Sequence, residues 1–100
     1  YEGVPAVIIE AMAAGVPVVA TNSSAAMEDL LAGGPLGPLG ACGDTAALAQ
    51  AMAEAGTLHP NVEAARAQAA RFRVERAAPA YLTVMRAAAS ARAKVQRAEP

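Results

Sequence analysis

One short helix followed directly by a strand constrains the fold of this chain more than any other feature. The segment Val4–Ala14 is apolar almost all round, and Pro5 suits a first helical turn because its missing N–H costs nothing there. Gly15 suits the position just after a helix, and Pro17 prevents the helix from continuing. The apolar run Val18–Ala20 is typical of a strand that is covered on both faces in a parallel sheet. We therefore predict a helix buried on most of its surface, then a strand, in an α/β fold.

The remainder of the chain predicts mostly helices. Its 29 alanines and 3% aromatic residues favour closely packed helices over an all-β sandwich. Residues 33–43 predict a loop with one or two residues of strand around Leu39. This order is typical of the closing half of an α/β domain, whose other strands we expect upstream. Four further helices are predicted, at 25–32, at 45–55, at 62–72 and in a last stretch that runs to Val95. Asp44 caps the helix at 45–55 and Gly56 ends it, with Leu48, Met52 and Ala55 on one face. Asn61 caps the helix at 62–72, and Pro79 starts or kinks the last one.

Several protein classes are excluded by composition. A chain that is 55% hydrophobic and 17% charged is not intrinsically disordered, and a single cysteine excludes an internal disulfide framework. Cys42 and His59 are too few for a zinc site, and the methionines are interpreted as core residues. The longest uncharged stretch is interrupted by Gly15 and Pro17, so no membrane span is predicted. No signal peptide is recognised, and the opening Tyr-Glu-Gly indicates a piece of a larger protein.

The charges are distributed unevenly along the chain. Seven acids and no Lys or Arg precede Ala64, whereas all eight basic residues follow it. Such a basic tail can indicate an anionic partner, either membrane lipid or nucleic acid, or else the solvated faces of alanine-rich helices. No aromatic or glycine pattern interleaves the charges, so we expect no nucleic acid partner. Peripheral contact with a membrane is left open.

Two carboxylates flank the start of the first predicted helix. Glu2 precedes the helix and Glu10 is near its middle, which separates them by roughly 8–12 Å along the axis. This separation suits the two ends of an extended polar ligand. Gly3 allows a ligand to approach the backbone, the first-turn N–H groups favour a phosphate, and Glu10 could accept both hydrogens of a ribose diol. In the simpler interpretation, Glu10 faces solvent and Glu2 compensates the helix dipole.

A longer motif contains these two residues. Residues 2–21, Glu-Gly-Val-Pro-Ala-Val-Ile-Ile-Glu-Ala-Met-Ala-Ala-Gly-Val-Pro-Val-Val-Ala-Thr, resemble the donor-site signature of the retaining glycosyltransferases with two Rossmann-like domains, family 4 in sequence classification. Residues 43–49 are similar to the helix start Gly-Asp-x-x-x-Leu-Ala of that family. Residues 72–82 resemble its closing Phe-Ser-Trp-Glu…Tyr-Leu stretch.

The resemblance implies the C-terminal portion of a Rossmann-like domain in a GT-B glycosyltransferase, mostly helical with two short parallel strands. Residues 1–72 would be part of the donor-binding domain, and residues 73–100 a C-terminal helix with a basic tail. The implied reaction, of hexosyltransferase type, moves a sugar from a nucleotide diphosphate sugar to an unidentified acceptor hydroxyl with retention. Glu10 would bind the ribose hydroxyls, and Glu2 with the amides of Gly3, Val4 and Pro5 would face the transferred sugar and the diphosphate.

The same resemblance sets expectations about partners. No Asp-x-Asp pair offers a metal site, so we expect neither metal nor other cofactor, and the leaving diphosphate would be neutralised by basic side chains and helix dipoles. No Lys or Arg precedes Arg66. The catalytic residues and the N-terminal acceptor domain are therefore expected upstream, and this piece alone would be inactive. We expect a cytoplasmic protein of bacterial type, with peripheral contact at the inner membrane face left open.

Two other functions remain compatible with the residues. A non-catalytic module that binds a nucleotide or sugar phosphate would keep Glu10 and the helix amides but would lack basic residues upstream. An alanine-rich helical interaction module would bind no nucleotide and would tolerate changes at Glu2 and Glu10.

Overall fold

Five α-helices, two short strands and one 3-10 turn occur in the part of the chain that the computed structural model describes, residues 3–57 and 61–99. The chain divides into two units, Tyr1–Ala70 and Arg71–Pro100, and the second unit contains the last helix. The elements are α1 (Ala6–Ala14), β1 (Ala20–Thr21), α2 (Ala25–Leu30), β2 (Leu39–Gly40), α3 (Thr45–Thr57), α4 (Val62–Ala69), the 3-10 turn (Ala70–Phe72) and α5 (Val74–Ala98).

The two strands form a parallel pair. Ala20 lies opposite Leu39, and Thr21 lies opposite Gly40. The backbone N–H of Ala20 donates to the carbonyl oxygen of Pro38 at 3.2 Å. The prediction of a mostly helical chain with two short parallel strands is confirmed, including the strand residues around Leu39.

The first strand lies later in the chain than its sequence predicts. The apolar run at Val18–Ala20 predicts the strand, but the ladder begins only at Ala20. In this register the preceding bond would need an N–H from Pro38 to the carbonyl of Val18, and proline has no N–H to donate. Val18 is nevertheless buried in the core, so its apolar character reflects packing rather than pairing. Ala20 and Thr21 are only half-buried, which corrects the prediction of a strand covered on both faces.

The core of the first unit lies where α1, α2 and α4 meet the start of the sheet. One polar side chain of α4 supports this packing. The Gln68 amide donates to the carbonyl oxygens of Asp29 and Leu30 at 2.9 and 3.2 Å, which ties α4 to the end of α2. The buried cluster consists of Met12, Val18, Met27, Leu31, Ala65 and Ala69.

Helix α1 is shorter and more exposed than predicted. It begins at Ala6, and Pro5 is its N-cap rather than a residue of its first turn. Only Met12 is fully buried, and Val7 is 66% exposed. One side of α1 packs against α4 and the core, and no described residue covers the opposite side. The prediction of a helix buried on most of its surface is therefore wrong. Gly15 ends the helix as predicted, in the left-handed conformation with φ 76°.

The capping residues position α3 and α4 as the sequence predicts. Asp44 Oδ1 accepts a hydrogen bond from the Ala47 N–H at 2.9 Å, and Asn61 Oδ1 accepts one from the Ala64 N–H at 2.9 Å. Each cap satisfies an N–H that has no partner within its helix. The second helix ends earlier than expected, at Leu30, and the fourth tightens into the 3-10 turn after Ala69.

The inner face of α3 differs from its prediction. Ala51 is buried, Leu48 and Ala55 are half-buried, and Met52 is 61% exposed. The face toward the rest of the unit is therefore built around an alanine, and Met52 is not the core residue that its type suggests. Of the other methionines, Met12 and Met27 are buried, and Met85 is 63% exposed, so the prediction of a core residue is wrong for Met52 and Met85.

Gly56 does not end α3, which continues to Thr57. In the last described turn, Thr57 Oγ1 donates to the carbonyl oxygen of Glu54 at 2.9 Å. Among the described residues, the glycines with positive φ do not include Gly56. It therefore remains helical, where glycine is about 1 kcal/mol less favourable than alanine.

Replacing Gly56 with alanine should therefore stabilise the first unit. A Cβ built at Gly56 meets nothing within 4 Å, so the substitution adds helix propensity without a clash. We expect Gly56→Ala to raise the free energy of unfolding by about 0.5–1 kcal/mol. Urea unfolding followed by circular dichroism measures this change. A decrease in stability would show that Gly56 is needed for a conformation that alanine cannot adopt.

Helix α5 begins at Val74, five residues before Pro79. Pro79 therefore neither starts the helix nor ends it, and its missing N–H removes one bond of the second turn. The carbonyl oxygen of Pro79 accepts a hydrogen bond from Thr83 Oγ1 at 2.9 Å. None of the side chains of α5 is buried. None of the helices in the described ranges is both long and apolar enough to cross a bilayer.

Candidate functional site

No described side chain covers the N-terminus of α1. Pro5 caps the helix in an extended conformation, with φ −77° and ψ 109°, and no side chain bonds to the cap. The first turn contains no acidic residue, so nothing in it compensates the positive end of the helix dipole. Gly3 and Val4 are exposed, and a Cβ built at Gly3 meets nothing within 4 Å. The backbone here can therefore be approached closely. The N–H of Ile8 donates to the carbonyl oxygen of Pro5 at 3.2 Å, and the N–H groups of Ala6 and Val7 are available to an anion.

Glu10 lies at the centre of the exposed side of α1. It projects opposite Met12, the buried residue of the helix, and it is about 6 Å further along the axis than Ala6. Within residues 3–57 and 61–99, no hydrogen bond or ion pair engages its carboxylate. Both oxygens of Glu10 are thus available as acceptors. The other exposed residues on this side of α1 are Ala6, Val7, Ala13 and Ala14.

The small neighbours of Glu10 leave room for a ligand along this side of the helix. The alanines one turn away on this side, Ala6, Ala13 and Ala14, are too small to cover the Glu10 carboxylate. Val7 is the largest side chain nearby on the same face. A flat polar ligand could therefore contact the helix from its open N-terminus to Glu10. A carboxylate that merely faces solvent would have the same exposure, so exposure alone does not assign a role to Glu10.

Of the five site residues that the sequence predicts, the structure brings four together on α1 and the segment before it. Gly3, Val4 and Pro5 lie at the N-terminal end of α1, and Glu10 lies at the middle of this short helix. Glu2 lies outside the described residues. The distance between the Glu2 and Glu10 carboxylates therefore remains a prediction.

A basic side chain lies at the opposite end of α1. Arg66 Nε, from α4, donates to the carbonyl oxygen of Ala13 at 3.3 Å. Its guanidinium approaches Gly15, within 3.4 Å of the position of a Cβ there. A cation at this position compensates the negative end of the helix dipole. Because it is about 12 Å along the axis from the first turn of α1, this Arg does not neutralise an anion bound there.

Polar residues follow both strands. Asn22 comes directly after β1, and its N–H donates to the Gly40 carbonyl at 2.8 Å. Asp44 comes four residues after β2 and is engaged as the cap of α3. The carboxyl ends of parallel strands meet at one edge of a sheet, so the loops 22–24 and 41–44 lie at the same edge.

The sequence holds two further candidates for chemistry, Cys42 and His59. Cys42 is a free, exposed thiol, and His59 lies outside the described residues. No group of three or more His, Cys, Asp or Glu side chains in the described ranges could hold a metal ion.

A groove that the sequence did not predict lies between α3 and the segment that contains β2 and the residues before it. Its volume is about 460 Å³, and it contains none of the four described residues predicted for the site. Its polar side chains are Gln50 and Glu54, one turn apart, with the Gln50 amide donating to Glu54 at 3.0 Å. No sequence motif predicts this groove, because exposed polar pairs such as Gln50 and Glu54 are common on helices. The lining residues are Gly33, Gly34, Pro38, Leu39, Gly40, Ala41, Ala47, Gln50, Ala51 and Glu54.

Comparison with known proteins identifies the first part of the chain. The family model described as "Glycosyl transferases group 1" matches residues 1–57, which include α1, both strands, α2 and α3. No curated protein and no solved structure shows significant similarity to the chain. The matched region covers more than half of the sequence and contains every residue of the predicted site. This chain therefore belongs to the group 1 glycosyl transferases.

Proposed function

We propose that this chain is the donor-binding part of a retaining glycosyltransferase of the GT-B type. It binds a nucleotide diphosphate sugar through Gly3, Val4, Pro5 and Glu10, together with Glu2. The transferred sugar passes to an acceptor hydroxyl that is held by another part of the protein. The observation that carries this proposal is the exposed Glu10 carboxylate on the same short helix as an uncapped, backbone-accessible N-terminus.

The N-terminus and the middle of that helix suit different parts of the donor. The first-turn amides and the helix dipole favour the diphosphate, which becomes the leaving group when the sugar departs. Glu10 is an ionised acceptor with two oxygens, which suits the two hydroxyls of a ribose. The rise of about 6 Å between the first turn and Glu10 separates the two contacts by roughly the length of a ribose and its phosphate.

The topology supports the same location. A helix that leads by a short turn into a strand of a parallel sheet runs antiparallel to that strand. The N-terminus of α1 is therefore directed toward the edge where β1 and β2 end. Ligands of open α/β sheets bind outside the carboxyl ends of the strands, which is this edge. The polar residues of loop 22–24 lie at the same edge and are candidates for further contacts to the donor.

Nucleotide binding is the experiment that tests this proposal. The chain is titrated calorimetrically with UDP, GDP and ADP, with the matching monophosphates and with sulfate. We expect one diphosphate to bind with a Kd below about 1 mM, at least tenfold more tightly than its monophosphate. Binding of sulfate as tightly as the diphosphate would indicate an anion site without a ribose contact. Absence of binding by all three diphosphates would contradict the proposal and favour a helical interaction module.

Sugar transfer by the chain alone is not expected. A departing diphosphate needs positive charge, yet no Lys or Arg precedes Arg66, which is engaged at the far end of α1. We expect no nucleoside diphosphate to be released from UDP-, GDP- or ADP-glucose above the rate of spontaneous hydrolysis. A coupled assay for the released diphosphate measures this. Release that Glu10→Gln abolishes would show that the catalytic groups are present in these residues.

A further inference from the structure

The last turn of α1, which follows Glu10, is held by few contacts of its own. A helix of nine residues is too short to be stable alone, so its ends depend on neighbouring elements. Within this turn only Met12 is fully buried, and Ala13 and Ala14 are exposed. Side-chain packing therefore anchors one side of the turn and leaves its other side exposed. The carbonyl oxygens of the turn have no partner further along the helix and must find one elsewhere.

Two kinds of contact satisfy these carbonyl oxygens. The N–H groups of the two residues after the helix donate to the carbonyl oxygens of Met12 and Ala11, at 3.1 and 2.9 Å. The carbonyl oxygen of Ala13 accepts instead from Arg66 Nε at 3.3 Å. This donor comes from α4, 53 positions further along the chain. A long-range contact therefore supplies part of the C-terminal cap of α1.

Gly15 allows α4 to come close enough for this contact. A Cβ built at Gly15 would lie 2.8 Å from Val62 Cγ1 and 3.4 Å from a guanidinium nitrogen of Arg66. Val62 and Arg66 are one turn apart on α4, so both lie on its face toward α1. A side chain at position 15 would separate the two helices, so the approach of Arg66 to Ala13 is built into the packing.

We propose that Arg66 is a positioning residue of the donor site, which keeps the last turn of α1 folded and thereby holds Glu10 in place. This role rests on the proposed function, in which Glu10 contacts the ribose. In an α-helix the N–H of Ala14 donates to the carbonyl oxygen of Glu10, so the turn that Arg66 closes also fixes the backbone of Glu10. The effect passes through the helix backbone, and Arg66 itself needs no contact with the donor.

The two parts of the donor site depend on this contact to different degrees. Fraying begins at the end of a helix, and Glu10 is only three residues from Ala13. The N–H groups of Ala6 and Val7 are about 10 Å from Ala13 along the axis, beyond the turn that would fray. Arg66 should therefore matter for the ribose contact and not for the phosphate contact. A residue that served only the stability of the unit would make no such distinction.

Two ligands test this distinction. Inorganic pyrophosphate, and whichever of UDP, GDP and ADP binds the wild type most tightly, are titrated into wild type and Arg66→Met. NMR follows binding into the millimolar range, at 0.15 M salt and at a temperature where both proteins are folded. The variant should bind the nucleoside diphosphate about three- to tenfold more weakly, as when the last turn is folded about a tenth to a third of the time. Pyrophosphate affinity should stay within about twofold. Equal losses for both ligands, or no loss for either, would overturn the proposal.

Gln68→Met is the matched control. Gln68 lies on the same helix as Arg66, but it ties α4 to α2 rather than to α1. Its substitution should leave nucleotide affinity within about twofold, even where it lowers the melting temperature as much as Arg66→Met does. A loss of affinity equal to that of Arg66→Met would assign both effects to general stability and contradict the proposal.

Arg66→Lys tests whether a charged donor is what acts at Ala13. Lysine keeps the charge on a side chain long enough to reach the Ala13 carbonyl oxygen, so nucleotide affinity should stay within about threefold of the wild type. An affinity as low as that of Arg66→Met, in a variant that circular dichroism shows to be folded, would contradict this role.

The double variant Glu10→Gln with Arg66→Met separates the role of Arg66 from the proposed function. If Arg66 acts through Glu10, the double variant should bind the nucleotide at most about twofold more weakly than Glu10→Gln alone. Losses that multiply would show that Arg66 acts elsewhere. If Glu10→Gln binds as tightly as the wild type, the ribose contact and the role of Arg66 fail together. If Glu10→Gln weakens binding and Arg66→Met does not, only the role of Arg66 fails.

Discussion

Glu10→Gln should weaken binding of the nucleoside diphosphate about 30–150-fold, which corresponds to about 2–3 kcal/mol. The substitution keeps the shape of the side chain but removes its charge, and it turns one acceptor oxygen into an N–H₂ donor that would face a ribose hydroxyl. Hydrogen bonds to an ionised acceptor contribute more than neutral ones. Because Glu10 is exposed and bonds to no described residue, stability should change by less than about 0.5 kcal/mol. Calorimetric titration and thermal melting of both proteins measure the two effects.

Glu54→Gln is the matched control for this experiment. Glu54 is also exposed on a helix of the first unit, but it borders the groove beside β2 rather than α1. Its substitution should leave nucleotide affinity within about twofold. Loss of affinity in Glu54→Gln with none in Glu10→Gln would move the nucleotide to that groove. Glu2→Gln should affect turnover of the complete enzyme more than nucleotide affinity, because the transferred sugar is its implied partner.

Gly37→Ala should destabilise the first unit by about 2–3 kcal/mol. Gly37 is buried just before β2, and a Cβ built there lies 2.5 Å from the carbonyl oxygen of Val18 and 3.3 Å from Leu31 Cδ2. The nearest atom belongs to the backbone, and Leu31 is completely buried, so neither neighbour can move without disturbing the core. At 4–8 °C for each kcal/mol, the melting temperature should fall by roughly 8–24 °C.

Gly56→Ala, the same chemical change in open space, is the control for Gly37→Ala, and the two substitutions should shift stability in opposite directions. A Gly37→Ala protein as stable as the wild type would mean that β2 can move away from Val18. Nucleotide affinity at a temperature where the variant remains folded should be unchanged, since Gly37 is not part of the proposed donor site.

The part of the candidate site that is formed by neighbouring residues was predictable from the sequence. Gly3, Val4, Pro5 and Glu10 lie within eight consecutive residues, so helix periodicity alone relates them. Sequence did not reveal the role of Arg66, which reaches Ala13 from another helix. Nor did it reveal the groove that joins Gln50 and Glu54 to Gly33 and Gly34, because those contacts are made across the fold.

Local chemistry by itself determined the helices, their caps and the end of α1. Asp44, Asn61 and Gly15 act on backbone groups within four residues of their own position, and each does so here as its residue type requires.

Only the tertiary structure decided which residues pair and which are buried. β1 begins at Ala20 because its partner strand follows Pro38, which has no N–H for a bond to Val18. Burial depends in the same way on neighbours that are distant in sequence. Val7 of α1 and Met52 of α3 are as apolar as the core residues, yet both remain exposed because no described element covers their side of the helix. The hydrophobic pattern of a sequence indicates which residues can be buried, and the packing of the elements decides which of them are buried.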